Sequence, residues 1–218
     1  MRIWDCGLRK EKIPETQLIH SISVSKKSIR NPKSEFRFSA ALLAGGKSSR
    51  MGQDKATLEF EDEPLWQRQV RLLESLDPAE VLISGRPDGP YVGSSYKIIY
   101  DHESGQGPLA GLAAVLEACT TSHLLVLAVD MPWMTQAVLE SLLSFEKGAV
   151  PEHDGWFEGT AAVYPVSLLP LVKETLQSED RSFQSLIRQA VAKKLVQTWS
   201  LPSDMLPSFH SWNTRSTG

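Results

Sequence analysis

The run 123–129 (HLLVLAV) is the feature that most limits what this chain can become. Its six consecutive apolar residues leave no solvent-facing side to a strand, and the run is far too short to span a membrane. A strand of this kind must be covered on both faces, which is the situation of a parallel sheet flanked by helices. A second run, 38–44 (FSAALLA), has the same character. Short strands are expected at 81–84 and 96–100. The intervening segments carry helical periodicity. In 64–76, Leu65, Trp66, Val70, Leu72, Leu73 and Leu76 recur at helical spacing, with Pro64 suited to a first turn. The segment 108–118 is an apolar helix with Pro108 at its start, and 135–145 is a helix with Thr135 as N-cap. Strands alternating with helices argue for an α/β fold, a Rossmann-like and mainly parallel sheet with helices on both faces.

Beyond Gly148 the order changes. Strands are expected at 149–151 and 159–164 around a turn at 153–155, helices at 168–176 and 182–191, and short strands at 195–199 and 209–212. The length, 218 residues, suits one domain with an appendage. Charge separates the two: residues 1–38 carry nine Lys/Arg and four Asp/Glu, a balance of +5, whereas the remainder is −8. This basic segment contains Pro14 and Pro32 and has little periodicity. It reads as a flexible tail, a targeting peptide or an upstream stretch brought in by an early start codon. Its four acids weigh against a transit peptide, and a dispensable tail over 1–38 ahead of a domain over 39–218 is the expectation. Charged residues interrupt 1–12, so no apolar signal core is expected there. A net charge of −3 gives no whole-chain case for nucleic-acid binding, and no segment suits a membrane. Two cysteines, Cys6 and Cys119, make neither a disulfide framework nor a zinc pattern, and a reducing cytoplasm is the default.

Chemistry concentrates in three places. The first comes after the strand 38–44: Gly45, Gly46, Lys47, Ser48, Ser49, Arg50, Met51, Gly52, Gln53, Asp54 and Lys55. Glycines let backbone N–H groups approach phosphate oxygens, and the three cations balance their charge. The P-loop pattern fails, because residue 41 is Ala41 and not glycine; the G-x-G-x-x-G spacing fails as well. A solvated glycine-rich turn is the plainer reading, but the strand-to-loop context favours phosphate binding. The second place is Asp130, at the end of the most apolar strand and before Met131 and Pro132. Ligands of open α/β sheets bind beyond the carboxyl ends of strands, where a lone carboxylate suits Mg²⁺. A turn or capping role is the alternative. The third is Asp101, succeeded by Gly105, Gly107, Pro108, Ala110 and Gly111, small residues against which a flat base or a ribose could pack, or an ordinary connection. His102, His123 and His153 lack zinc-site spacing and read as surface or turn residues, and no Ser/His/Asp arrangement supports acyl chemistry.

Together these segments resemble the MobA-like nucleotidyltransferases, and within them the molybdenum cofactor guanylyltransferases, over about 39–213. LAGGKSSRMGQDK at 43–55 is similar to the family's L-A-G-G-x-x-x-R-M-G-x-D-K signature. GPLAGL at 107–112 and VDMP at 129–132 resemble two further blocks, and ISGRP at 83–87 and GTAAVY at 159–164 are weaker matches in the expected order. The resemblance implies a nucleotidyltransferase-type sheet in which Leu43, Ala44 and Gly45 lie against the nucleotide, Lys55 contacts its phosphates, Ser84 falls at a base-contacting position, Asp101 lies near the nucleotide, and Asp130 binds Mg²⁺. Asn213 falls on the last Asn of the family's N-x-N-T-P motif, on the acceptor side. The chain departs at Ser211, where Asn is usual, at Arg215, where Pro is usual, and at Val129, where Cys is frequent.

The implied reaction moves GMP from GTP to the terminal phosphate of molybdenum-molybdopterin and releases pyrophosphate. It needs no protein nucleophile, only alignment and charge neutralisation by Arg50, Lys55 and Asp130. Transient contact with molybdoenzymes or their chaperones is implied, in the cytoplasm. Glycine at 45, where cytidylyl relatives resemble L-A-A-G, points to a purine base. Two other readings stand beside it: a nucleotidyltransferase using CTP or another phosphate acceptor, and a non-catalytic nucleotide-binding accessory of cofactor delivery.

Overall fold

A computed structural model of the chain describes residues 37–45, 55–100 and 107–212, all within the unit Glu35–Gly218. The sequence expectations for the tail over 1–36, for Arg50 and the rest of 46–54, for Asp101 and for Asn213 lie outside the described residues.

The main sheet is built from β1 (Phe38–Leu43), β4 (Val81–Gly85), β5 (Lys97–Tyr100), β6 (His123–Ala128) and β9 (Ala161–Pro165). Their order is β5-β4-β1-β6-β9; the first four are parallel, and β9 runs antiparallel to β6. The two apolar runs therefore occupy adjacent central positions, as their composition requires. Alternation along each strand divides the core. Ala40 and Leu42 of β1 and Leu125 and Leu127 of β6 face one hydrophobic cluster, with the helices α1 (Leu65–Glu74) and α3 (Gln136–Leu143). Ala41, Leu43, Leu124 and Val126 face the other, with α2 (Pro108–Ala118), α4 (Leu169–Gln177) and α5 (Phe183–Ala192). Leu42, Leu124 and Leu125 are fully buried, and truncating any one to alanine would cost about 2–5 kcal/mol.

The helix starts obey their local signals. Pro108 begins α2 after Gly107, whose φ of 78° is one that side chains avoid. Thr135 caps α3 by accepting the Val138 N–H, and Ser182 caps α5 by accepting the Ser185 N–H. Pro64 is not in the first turn of α1; it is its extended N-cap residue and belongs to a small hairpin.

That hairpin, β2 (Glu59–Phe60) with β3 (Glu63–Pro64), turns through Glu61 and Asp62, both at positive φ. This is the two-residue turn that normally carries Asn or Gly, so its acidic sequence gave no warning.

The C-terminal half corrects the expectation in two places. The strands expected at 149–151 and 159–164 do not pair with each other. β7 (Ala149–His153) pairs instead with β8 (Trp156–Phe157) around Asp154 and Gly155, and with β10 (Gln197–Ser200), in a three-stranded sheet, while β9 returns to the main sheet. The strand expected at 209–212 is absent: Leu206–Phe209 is a short 3-10 turn, and 210–212 lack regular structure. The backbone there is engaged otherwise: the His210 N–H closes the turn on the Pro207 carbonyl, and the Trp212 N–H goes to the Asp130 carbonyl. No helix of the described residues is long and apolar enough to cross a membrane.

Candidate active site

The chain leaves β1 towards β4 on one side and returns to β6 on the other, so the crevice beyond the ends of β1 and β6 is the switch point of the sheet. Three strand ends are laced together there. The Ala44 N–H donates to the Ser84 carbonyl at 2.8 Å, and the Val129 N–H to the Leu43 carbonyl at 3.1 Å. On the far side the Ala128 N–H donates to the Thr160 carbonyl at 2.8 Å. Tyr164 steadies that edge: its buried hydroxyl donates to the Gly159 carbonyl, and burial pushes its phenol far above the ordinary range. Leu43 and Ala44 are nearly buried, and Gly45 is the first half-open residue of the loop.

Lys55 re-enters on a short 3-10 turn, Lys55–Thr57, pinned by fully buried Ala56. Its ammonium donates to Asp130 Oδ2 at 2.7 Å, with both side chains only about one-fifth exposed (22% and 20%). The sequence separates these residues by 75 positions; the fold brings them into contact at the mouth of the crevice. Either partner of this half-sheltered pair can exchange the other for a phosphate or a cation.

The loop carrying Asp130 is held through its backbone. The Trp212 N–H donates to the Asp130 carbonyl at 2.7 Å. Gln69 Nε2 of α1 donates to the Met131 carbonyl, and Arg68 Nε to the Pro132 carbonyl at 3.0 Å. The Arg68 guanidinium also lies 4.9 Å from the centre of the Phe60 ring, which meets Trp133 and Trp212 edge-on. The residue preceding Asn213 is therefore in contact with the Asp130 loop, although Asn213 itself lies outside the described residues.

Ser84, expected at a base-contacting position, is 1% exposed inside β4, opposite Leu43 and Ile99. Beyond Ser84 the backbone is closely covered by the Tyr91 ring. A Cβ on Gly85 would sit 2.4 Å from that ring, and one on Gly89 2.2 Å from it. Tyr91 is fully buried, accepts the Arg86 N–H at its hydroxyl and packs edge-on against Trp66, so it locks the segment after β4 onto α1.

Sequence reasoning missed Gln69, Arg68, Tyr91 and Trp212. Gln69 left a readable trace, as a polar residue on the stripe of Trp66, Val70 and Leu73 that α1 buries. It also missed Glu158, which lies near His153 and His210; burial raises the Glu158 carboxyl, and the two imidazoles partly offset this.

The donor set fits Mg²⁺. Among the described residues no group of three His, Cys, Asp or Glu could hold a metal unaided. Asp130 stands as a single carboxylate beside a cation, and Mg²⁺ commonly binds through one carboxylate, with water and substrate phosphates completing its shell.

A family model for the MobA-like NTP transferase domain matches residues 40–195. The chain is 36% identical to the "Probable molybdenum cofactor guanylyltransferase" of Opitutus terrae, over 79% of this chain and 89% of that protein. It is 34% identical to the molybdenum cofactor guanylyltransferase of Pseudomonas fluorescens, over 72% and 82%. Among solved structures, the molybdopterin-guanine dinucleotide biosynthesis protein A of Archaeoglobus fulgidus superposes with a TM-score of 0.64 at 24% identity, over 81% of this chain and 93% of that one, a likeness of fold. The family model covers more than two thirds of the sequence, and the chain belongs to the MobA-like NTP transferase family.

Proposed function

We propose that this protein transfers GMP from GTP to the terminal phosphate of molybdenum-molybdopterin, giving molybdopterin guanine dinucleotide and pyrophosphate. Family membership supports the reaction class, and the names of the relatives support the substrates. The observation that carries the site assignment is the 2.7 Å Lys55–Asp130 pair beyond β1 and β6.

An acceptor phosphate oxygen attacks the α-phosphorus of GTP. The bond from that phosphorus to the bridging oxygen breaks, and pyrophosphate leaves with the electron pair. The acceptor is already an anion, so no side chain need act as nucleophile. The protein's task is to align two anions and offset their repulsion. Lys55 exchanges Asp130 for the nucleotide phosphates, and Arg50 meets the charge that grows on pyrophosphate. The Asp130 carboxylate, once released from Lys55, would hold Mg²⁺, which would supply charge neutralisation for the phosphates. Leu43 and Ala44 lie against the nucleotide, and backbone at Gly45, past the strand-end hydrogen bonds, offers hydrogen bonds to the guanine edge; a site that pairs such groups penalises a base that leaves them unmatched. Ser84 and Asp101 are assigned to the nucleotide and Asn213 to the acceptor. Action in the cytoplasm, with transient contact to molybdoenzymes or their chaperones, completes the proposal.

The test is incubation of the full chain with Mg²⁺, molybdenum-molybdopterin and each of the four nucleoside triphosphates, with mass spectrometry of the product. The guanine dinucleotide is expected as the main product. A cytosine dinucleotide would reassign the base, and binding without pyrophosphate release would leave a nucleotide-binding accessory.

A further inference from the structure

Three successive carbonyls of the loop after β6 are each taken by a donor from a different part of the chain. Asp130 O accepts from the Trp212 backbone, Met131 O from the Gln69 side chain, and Pro132 O from the Arg68 side chain. Met131 O accepts the Met134 N–H as well, which closes the turn on itself. Two of the three outside donors are consecutive side chains of α1.

Gln69 is the unusual member. It is fully buried on the apolar stripe of α1, between Trp66 and Leu73. Its Nε2 meets the Met131 carbonyl, which fixes the orientation of the amide, yet among the described residues its Oε1 has no hydrogen-bond partner. A buried acceptor left unpaired costs its full desolvation, more than one hydrogen bond contributes net, so stability alone favours an apolar side chain at this position. The amide gains something else. It ties α1, a rigid element of the core, to the carbonyl next to Asp130. Arg68 extends the tie by one residue and is itself held by the Phe60 ring and by Glu61 at 3.2 Å.

We propose that Gln69 and Arg68 are positioning residues for the Asp130 carboxylate: they fix the backbone of its loop so that the carboxylate stays aimed when Lys55 leaves it for the nucleotide phosphates. The inference rests on the function proposed above. A single carboxylate that holds a cation has little chelate effect of its own, so its pre-set direction governs affinity, and groups that orient a ligand typically govern about 10- to 100-fold of metal affinity.

The experiment compares the full-length wild type with Gln69→Met, which keeps the volume and removes both the donor and the orphaned oxygen, and with Arg68→Lys, which keeps the charge and loses the Nε donor. Mn²⁺, tracked by electron paramagnetic resonance in the presence of a non-hydrolysable GTP analogue, reports the half-saturating metal concentration without turnover. Gln69→Met is expected to melt within about 2 °C of wild type while that concentration rises on the order of tenfold. Its kcat should fall at sub-saturating metal, with KM for GTP at saturating metal within twofold. Arg68→Lys should shift the metal midpoint in the same direction by about threefold. A folded Gln69→Met with metal midpoint and kcat within twofold of wild type would overturn the inference. If Gln69→Met does not fold, an unmoved midpoint in Arg68→Lys overturns it instead. A wild type that neither binds Mn²⁺ with the analogue nor transfers GMP fails differently, taking down the reading of the site itself and this inference with it.

Discussion

Two carboxylates stand at opposite ends of the same sheet and are treated in opposite ways. Glu80, just before β4, has one oxygen saturated by fixed donors: the Ser39 hydroxyl at 2.8 Å, the Thr120 N–H at 2.8 Å and the Thr120 hydroxyl at 2.6 Å. Burial alone would raise its carboxyl, but the hydrogen bonds from Thr120 and Ser39, with Lys97 nearby, outweigh burial and hold it below the usual range. Asp130, beyond β6, has its backbone fixed by Trp212, while its carboxylate meets the flexible ammonium of Lys55. A structural carboxylate is held by donors that cannot leave. Asp130, the proposed metal ligand, has its direction fixed by its backbone and its charge held by a cation that can be exchanged. Substitutions at the two positions should separate these designs.

The largest expected effect is Asp130→Ala. It should lower Mg²⁺-dependent GMP transfer on the order of a thousandfold, several kcal/mol of transition-state stabilisation, while the melting temperature moves little. Steady-state kinetics with calorimetry checks both halves, and unchanged turnover would remove Asp130 from the metal role. Lys55→Ala should weaken GTP binding and slow transfer together, each by about 10- to 100-fold, since one cation serves the bound and the activated phosphates. Equal affinity and rate would place the phosphates elsewhere.

Glu80→Gln should do the reverse, leaving kcat and KM within about twofold and costing roughly 1–2 kcal/mol of stability at pH 7, a figure reduced for the partial exposure of this group. Because the folded-state value of Glu80 is depressed, its contribution is fully present above the ordinary glutamate range and is lost as pH falls through the folded value. Denaturant midpoints of the two proteins should therefore converge in acid; a gap that stays constant would show that charge is not the cause. Glu158→Gln is the smallest and has the opposite sign. Burial raises the carboxyl in the folded state, so the wild type loses stability as pH rises from the ordinary range through the raised value. The variant should be more stable than wild type by a fraction of a kcal/mol near neutrality, roughly the cost of an imperfectly paired half-buried charge, and equal to it in acid. Thermal melts at both pH values would detect it, and a less stable variant at pH 7 would show that His153 and His210 more than offset burial.

Much of the main sheet was legible because apolar runs 38–44 and 123–129 admit only a position covered on both faces, and helix starts at Pro108 and Thr135 carry local signals. The second sheet was not legible, because β7, β8 and β10 pair according to what the main sheet leaves free. Local sequence placed strands near 149–151 and 159–164 but had no means of separating them into two sheets. The hairpin at Glu61 and Asp62 was hidden for a related reason: its turn takes positive φ at residues that do not ask for it.

The sequence by itself determined the alternating architecture, the glycine-rich strand end and the three family blocks, since each is written in neighbouring residues whose physics is local. It also supplied Lys55 and Asp130 as candidates. Only the tertiary structure decided that these two meet at 2.7 Å across 75 residues, that Trp212, Gln69 and Arg68 hold the loop behind Asp130, and that Ser84 lies inside its strand. Contacts of this kind depend on which strand ends the sheet order brings together, and that order is set by the burial of the whole chain, not by any segment of it.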